Sequence, residues 1–246
     1  MAEVNFLTSK IKYGFTLAEV LITLVIVGVI AALTISPLIV KHQKQETVVR
    51  LKKAYSELCG AVRLAELNKG DSTTNWNFNL DGTDFFNTYL RPYIATAQPT
   101  SLTEYQQQAN VKYLNGTDCT AESWCLESPS NGTNYNAVLA NGTIMIVEAW
   151  HSETSVVKVV IFDLNGLKKP NKIGRDIFAF IIQSDANQVV AMGAHKGHAA
   201  TNGGENFTRE NILGNLNQSC NKNQKGEYCA GLIMIDSWQI KDDYPW

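Results

Sequence analysis

The sequence predicts an α+β protein organised on one long amino-terminal helix, followed by an antiparallel sheet and a disulfide-bounded carboxyl-terminal region. Three observations predict it. Residues 15–40 are apolar throughout, and their sole charge is Glu19. Beyond them Val48, Leu51, Tyr55, Leu58, Val62 and Ala65 recur at spacings of three and four, which is one apolar face of an amphipathic helix. From residue 134 the period becomes that of strands, and Asn141-Gly142 divides 134–140 from 143–150 as a tight hairpin turn would.

The first half of the helix is long enough to cross a bilayer. Its 26 residues make roughly 39 Å at ~1.5 Å each, against a hydrocarbon core of about 30 Å. Glu19 is the anomaly, because an acid in that setting costs on the order of 2–3 kcal/mol. A plain membrane anchor leaves Glu19 without a purpose. A secretory signal peptide cut near Ala31-Ala32 calls for a shorter apolar region. The helical pattern then runs to Asn68-Lys69-Gly70, where Gly70 can take the left-handed conformation that ends helices. Pro37 lacks a backbone donor, so a kink or a locally melted turn is expected at Ser36-Pro37.

The remainder reads as one domain. Phe85, Phe86, Tyr89, Leu90 and Tyr93 suggest a short helix disturbed at Pro92, and 95–124 reads as irregular, with a helix over 103–109. Strands are expected at 156–162, 177–183 and 189–192, then a glycine-rich loop at 193–204 and a helix over 208–216 capped by Thr208. Cys119 with Cys125 and Cys220 with Cys229 are the simplest disulfide pairs, each closing a short loop, which leaves Cys59 over. Leu232, Ile233, Ile235 and Trp238 return the chain to the core.

Gly14-Phe15-Thr16-Leu17-Ala18-Glu19, behind a leader with Lys10 and Lys12, resembles the prepilin cleavage motif of the type IV pilin and type II secretion pseudopilin superfamily. The resemblance implies a leader at 1–14, cleavage between Gly14 and Phe15, and N-methylation of Phe15. It implies an assembly role for Glu19 in docking subunits. It divides the chain into a helix at 15–69, with 15–40 as the transmembrane and assembly half, and an exported globular pilin-like domain at 70–246. The family places such a helix against an antiparallel sheet, and many members close the tail with a disulfide. The ending from Cys229 through Trp238-Gln239-Ile240 to Tyr244-Pro245-Trp246 is similar to the tails of a bacterial pilin-like group.

The function implied is a structural subunit of a type IV pilus-like or type II pseudopilus filament, homo-oligomeric or mixed. Its implied partners are a prepilin peptidase, the inner-membrane assembly machinery, and membrane lipid before assembly. The precursor would cross the bacterial inner membrane once, and the mature chain would join a periplasmic or cell-surface filament. The alternative is a membrane-anchored or filament-tip binding module, an adhesin or DNA receptor, which requires an exposed aromatic or basic patch. A net charge of −2 gives no basic field for nucleic acid. Lys41, Lys44, Arg50, Lys52 and Lys53 follow the apolar run, and a simple positive-inside count would keep the domain in the cytoplasm. The prepilin resemblance overrides that count.

No enzyme is expected. Gly-x-Ser-x-Gly, a phosphate loop, His-Glu-x-x-His and Cys-x-x-Cys are all absent. His195 and His198 are three apart in a glycine-rich loop and lack the further ligands a metal needs. No cofactor is expected beyond calcium, for which Asp163, Asn165 and Asp176 offer hard oxygen ligands between two strands. The competing expectation, favoured here, is an Asx-type turn in which Asp163 and Asn165 bond nearby backbone amides.

Overall fold

The computed structural model describes residues 14–99, 105, 108–119, 134–151, 156–184, 188–194 and 208–246. Two compact units divide at Gln43 and Lys44. Helix α1 (Leu17–Lys69) belongs to both.

In the first unit α1 is uninterrupted through Pro37, so the locally melted turn expected there does not occur. Pro37 cannot donate to the Leu33 carbonyl, yet the turns on either side keep their ladder. Helix α1 ends where the sequence indicates. Gly70 has φ +65° and Asp71 N donates to Glu66 O at 3.2 Å, the longer bond of a Schellman motif.

In the second unit α1 buries Leu51, Ala54, Leu58, Ala61, Val62 and Ala65. Three of these are alanines, so half of the buried face is built of small side chains. Tyr55 on the same helix meets the Phe180 ring at 5.4 Å and donates to Val189 O at 3.2 Å, which fixes α1 against the sheet.

That sheet is an antiparallel meander of six strands in chain order: β1 Thr96–Pro99, β2 Tyr135–Leu139, β3 Ile144–His151, β4 Val156–Asp163, β5 Ile177–Gln183 and β6 Gln188–Ala191. The β2–β3 hairpin turns at Asn141-Gly142 as expected, with Gly142 at φ +83°. Strand β1 was not expected; 96–99 has no strand-like apolar period and is held by pairing with β2. Both faces of the central strands are covered, and all seven residues of β5 are buried. This accounts for a continuous apolar run in β5 where a half-buried strand would alternate.

On the face toward α1, Lys158 of β4 is buried. It donates to the Leu80 carbonyl and lies 5.3 Å from the centre of the Phe85 ring. Burial draws its ammonium down to about 8, with Asp81 nearby opposing the shift. Next to it, helix α2 (Gly82–Phe85) runs into one π turn, Phe86–Leu90, and this is the short helix expected around Phe85. A Cβ on Gly82 would come within 2.0 Å of the Val147 carbonyl, so glycine is what allows α2 to touch β3.

Helix α3 (Arg209–Leu213) starts at Thr208, whose Oγ1 accepts from Asn211 N at 3.2 Å, as predicted. Helix α4 (Cys229–Ile235) was not expected as a helix. Its run is apolar on all sides and buried from Cys229 to Ile233, so no amphipathic period marks it. The tail is clamped by charge. Arg209 bonds both oxygens of Asp236 and also Asp243, while Lys241 reaches Asp236 at 2.5 Å. Burial acts to raise the Asp236 carboxyl, but Arg209 and Lys241 overcome it and hold the group below its ordinary value.

The opposite face of the sheet carries Glu148 of β3, between Ile146 and the cross-strand Val159. It is buried, and among the described residues its Oε1 has no hydrogen-bond partner. Burial lifts its carboxyl from the ordinary 4.5 to about 8. The folded chain therefore keeps a proton that the unfolded chain releases. Stability from this group is complete below about pH 4.5 and is lost as pH rises toward 8. Glu148→Gln should flatten that dependence. In urea titrations of the detergent-solubilised chain at about pH 5 and pH 8, the stability difference should shrink by on the order of 2–4 kcal/mol. An undiminished difference would rule Glu148 out as its source.

Candidate functional site: the amino-terminal helix

Residues 14–16 precede α1 in non-helical backbone and are exposed, so the Gly14–Phe15 peptide bond lies outside the helical ladder. Phe15 is 89% exposed. Thr16 is the residue that sequence reasoning missed. Its N–H and Oγ1 both donate to Glu19 Oε2 at 2.8 Å, while Glu19 N donates to Thr16 Oγ1 at 3.2 Å. This reciprocal pair is a capping box. The signal was present as Thr-x-x-Glu at the head of an apolar run. The carboxylate sits in the first turn, where the helix dipole favours negative charge.

Downstream of Glu19, the apolar side chains up to Val40 are outward-facing and unburied in the single chain. By length and composition this helix can cross a membrane. Its hydroxyls do not oppose that. Thr23 donates to Val20 O, Thr34 to Ile30 O and Ser36 to Ala32 O. Each polar side chain of the run thus has a partner on its own helix, as an apolar environment requires.

Asp163, Asn165 and Asp176 are brought together in the β4–β5 connection. Asp163 Oδ2 accepts from the Tyr105 hydroxyl at 2.6 Å and its Oδ1 from Asn165 N at 3.2 Å. Asp176 accepts from Asn171 N at 2.7 Å and Lys172 N at 2.6 Å, and it also bonds the Asn165 side chain. Burial pushes the Asp163 carboxyl up to about 7, with Tyr105 opposing and the neighbouring Asp176 adding to the rise. The bond from Asn165 N to Asp163 is the Asx-type turn expected there, whereas Asn165 itself does not accept from a backbone amide as expected. Two acceptor oxygens in the cluster, Asn165 Oδ1 and Asn171 Oδ1, have no donor among the described residues. Tyr105 and Asn171 had no signal in the sequence, since one lies 58 residues from its partner and the other takes φ +47°.

Cys220 and Cys229 form the expected disulfide, with Cα atoms 4.7 Å apart. Cys119 is disulfide-bonded, and Cys125 lies outside the described residues. Cys59 is free and half-buried on α1, as expected for the cysteine left over. His195 and His198 lie outside the described residues. Among the described residues no three His, Cys, Asp or Glu side chains are grouped to hold a metal.

A capped acid at the head of an exposed apolar helix, ahead of a pilin-like α+β domain, is the arrangement of a prepilin-type protein. Residues 9–35 match the prokaryotic N-terminal methylation motif, the cleavage and methylation signature of type IV pilins and pseudopilins. Residues 37–246 match a family of unknown function (DUF6613), and the chain belongs to that family. No curated protein and no solved structure matches the chain. The motif implies processing by a prepilin peptidase, and with the apolar helix it fits a membrane-anchored precursor that later enters a filament.

Proposed function

We propose that the chain is a structural subunit of a type IV pilus-like or type II pseudopilus filament, inserted in the inner membrane, processed after Gly14, methylated at Phe15 and assembled by helix association. The observation that carries this reading is the coincidence of the matched methylation motif with an apolar run, residues 15–40, whose only charge is held at the first turn of the helix. Glycine at 14 presents the cleavage bond without a side chain, and the bond lies in accessible backbone. Gly14→Val should block the peptidase, so that the purified chain keeps the mass of its leader. A mature mass identical to that of the unaltered chain would overturn the cleavage assignment.

Cleavage creates an ammonium on Phe15 that the precursor lacks. Four residues of helix rise about 6 Å, so a neighbouring subunit shifted by roughly that amount brings its Phe15 ammonium to Glu19. Both charges lose water on pairing, so the pair favours one register without being a large net stabiliser. Glu19 already accepts two bonds from Thr16, which keeps its carboxylate directed at the end of the helix where that ammonium would arrive. Glu19→Val should be inserted, processed and folded, yet should yield several-fold fewer filaments when it is the only copy expressed. Filaments of normal number and length would refute the docking role.

Calcium is proposed at Asp163, Asn165 and Asp176. The donor-less oxygens of Asn165 and Asn171 support it, because two buried carboxylates and two orphaned carbonyl oxygens give the cluster more acceptors than donors. Binding to the folded state alone raises the melting temperature. Calcium added to the chelator-treated chain should raise it by a few degrees, and Asp176→Asn should abolish the rise. An unchanged melting curve would leave the hydrogen-bonded turn as the full account.

A further inference from the structure

The basic residues after the apolar run take part in neither the cleavage site nor the Glu19 contact. Residues 41–53 carry Lys41, Lys44, Arg50, Lys52 and Lys53 against the single acid Glu46, an excess that ordinarily marks the untranslocated side of a membrane helix. The globular unit 44–246 adds to it at one end. Arg50 Nη1 donates to Leu164 O at 3.1 Å, which holds the β4–β5 connection beside the opening turns of that unit's helix. The connection continues through Gly166, at φ +66°, where a Cβ would come within 2.9 Å of the Gly142 carbonyl. It therefore lies against the β2–β3 turn, and 167–170 are exposed. Leu167 is 47% exposed, an apolar side chain followed directly by Lys168 and Lys169.

The pairing of these charges is uneven. Arg50 is matched by Glu46 at 2.6 Å and Lys53 by Glu57 at 3.7 Å. Lys44, Lys168 and Lys169 make no ion pair among the described residues. This end of the unit thus presents two unmatched cations, Lys168 and Lys169, directly after one exposed leucine, with Lys44 about 9 Å of helix before Arg50. It is also the end to which the apolar segment is covalently joined. Anionic headgroups attract basic side chains within about a Debye length, roughly 8–10 Å, of the bilayer surface.

We propose that Leu167, Lys168 and Lys169, with Lys44 on the adjoining helix, form a docking face for the anionic phospholipid headgroups of the bilayer that holds the subunit before assembly. The inference rests on the membrane-anchored precursor proposed above. Charge complementarity and covalent continuity with the membrane-spanning run commit the face to that one occupant. The basic excess then serves the waiting subunit on its exported side, and it need not report orientation. Leaving the bilayer for a filament requires breaking these contacts.

The test uses the full chain in nanodiscs of phosphatidylcholine alone, or with about 30% phosphatidylglycerol. Amine acylation is read lysine by lysine by mass spectrometry. Lys69 is the internal reference, exposed and roughly 37 Å along α1 from Lys44. Acylation of Lys168 and Lys169 relative to Lys69 should fall about fivefold per lysine in the anionic discs only, and should recover at high salt. In Lys168→Glu/Lys169→Glu, hydrogen exchange across 164–170 should lose all dependence on phosphatidylglycerol. Equal acylation in the two kinds of disc, protection that persists without phosphatidylglycerol, or lipid-dependent exchange in the double variant would each overturn the docking face. Copurification of the chain with either disc separately reports the anchor, so a chain that enters no disc speaks against the anchored precursor and not against the face alone.

Discussion

The contact between one face of α1 and the sheet is the interaction on which the rest of the globular unit depends. Leu51 and Leu58 are fully buried there, and burying such a side chain contributes about 1.5–3 kcal/mol. Ala54 lies between them, and Tyr55 bridges to Phe180 and to the edge strand β6. The same helix is apolar on every side before residue 41 and on one face after it. A single continuous element thus serves two solvents. Its second half is satisfied by its own domain, while its first half is left to lipid or to other subunits.

Polar devices close the ends of the sheet where apolar contact runs out. The β4–β5 connection is pinned to the 105–112 segment by Tyr105 on Asp163, by Asn171 Nδ2 on Ala109 O at 2.7 Å, and by backbone bonds between Lys112 and both Asn171 and Ile173. The tail reaches the same loop. Tyr244 donates to Gly174 O at 2.5 Å, and the Arg175 guanidinium stacks 4.2 Å from the centre of the Trp246 ring. Two segments far apart in the chain therefore converge on 163–176, so a change in the protonation or ligation of Asp163 and Asp176 would be felt by both.

Charge is used sparingly and at boundaries. Glu19 is retained in an apolar helix by a local cap, which supplies donors without water and leaves the carboxylate at the helix end. Lys158 and Glu148 lie on opposite faces of the sheet, so neither can neutralise the other. Lysine at 158 is tolerated through a carbonyl and an aromatic ring, and Glu148 through holding its proton. Such groups add little net stability, and they make the fold sensitive to pH.

The amino-terminal helix, its end at Gly70, the β2–β3 turn at Asn141-Gly142, the Thr208 cap and the Cys220–Cys229 bond were legible in the sequence. Each is set by residues near one another in the chain: a period of three to four, a glycine free to take positive φ, a hydroxyl three residues from its amide. The same holds for Glu19, Phe15 and Gly14 as a motif. Only the tertiary structure decided the rest. Strand β1 exists because β2 offers it a partner, and α4 is helical where its sequence is uniformly apolar and shows no face. Pro37 is carried within an otherwise intact helix. Tyr105 and Asn171 join the acid cluster, and Lys168 and Lys169 share an end of the domain with Arg50, through contacts that cross many residues of sequence. Local periodicity and turn chemistry act over a few residues and can be read directly; the pairing of distant segments depends on which surfaces the chain has already buried, and no short stretch of sequence records that.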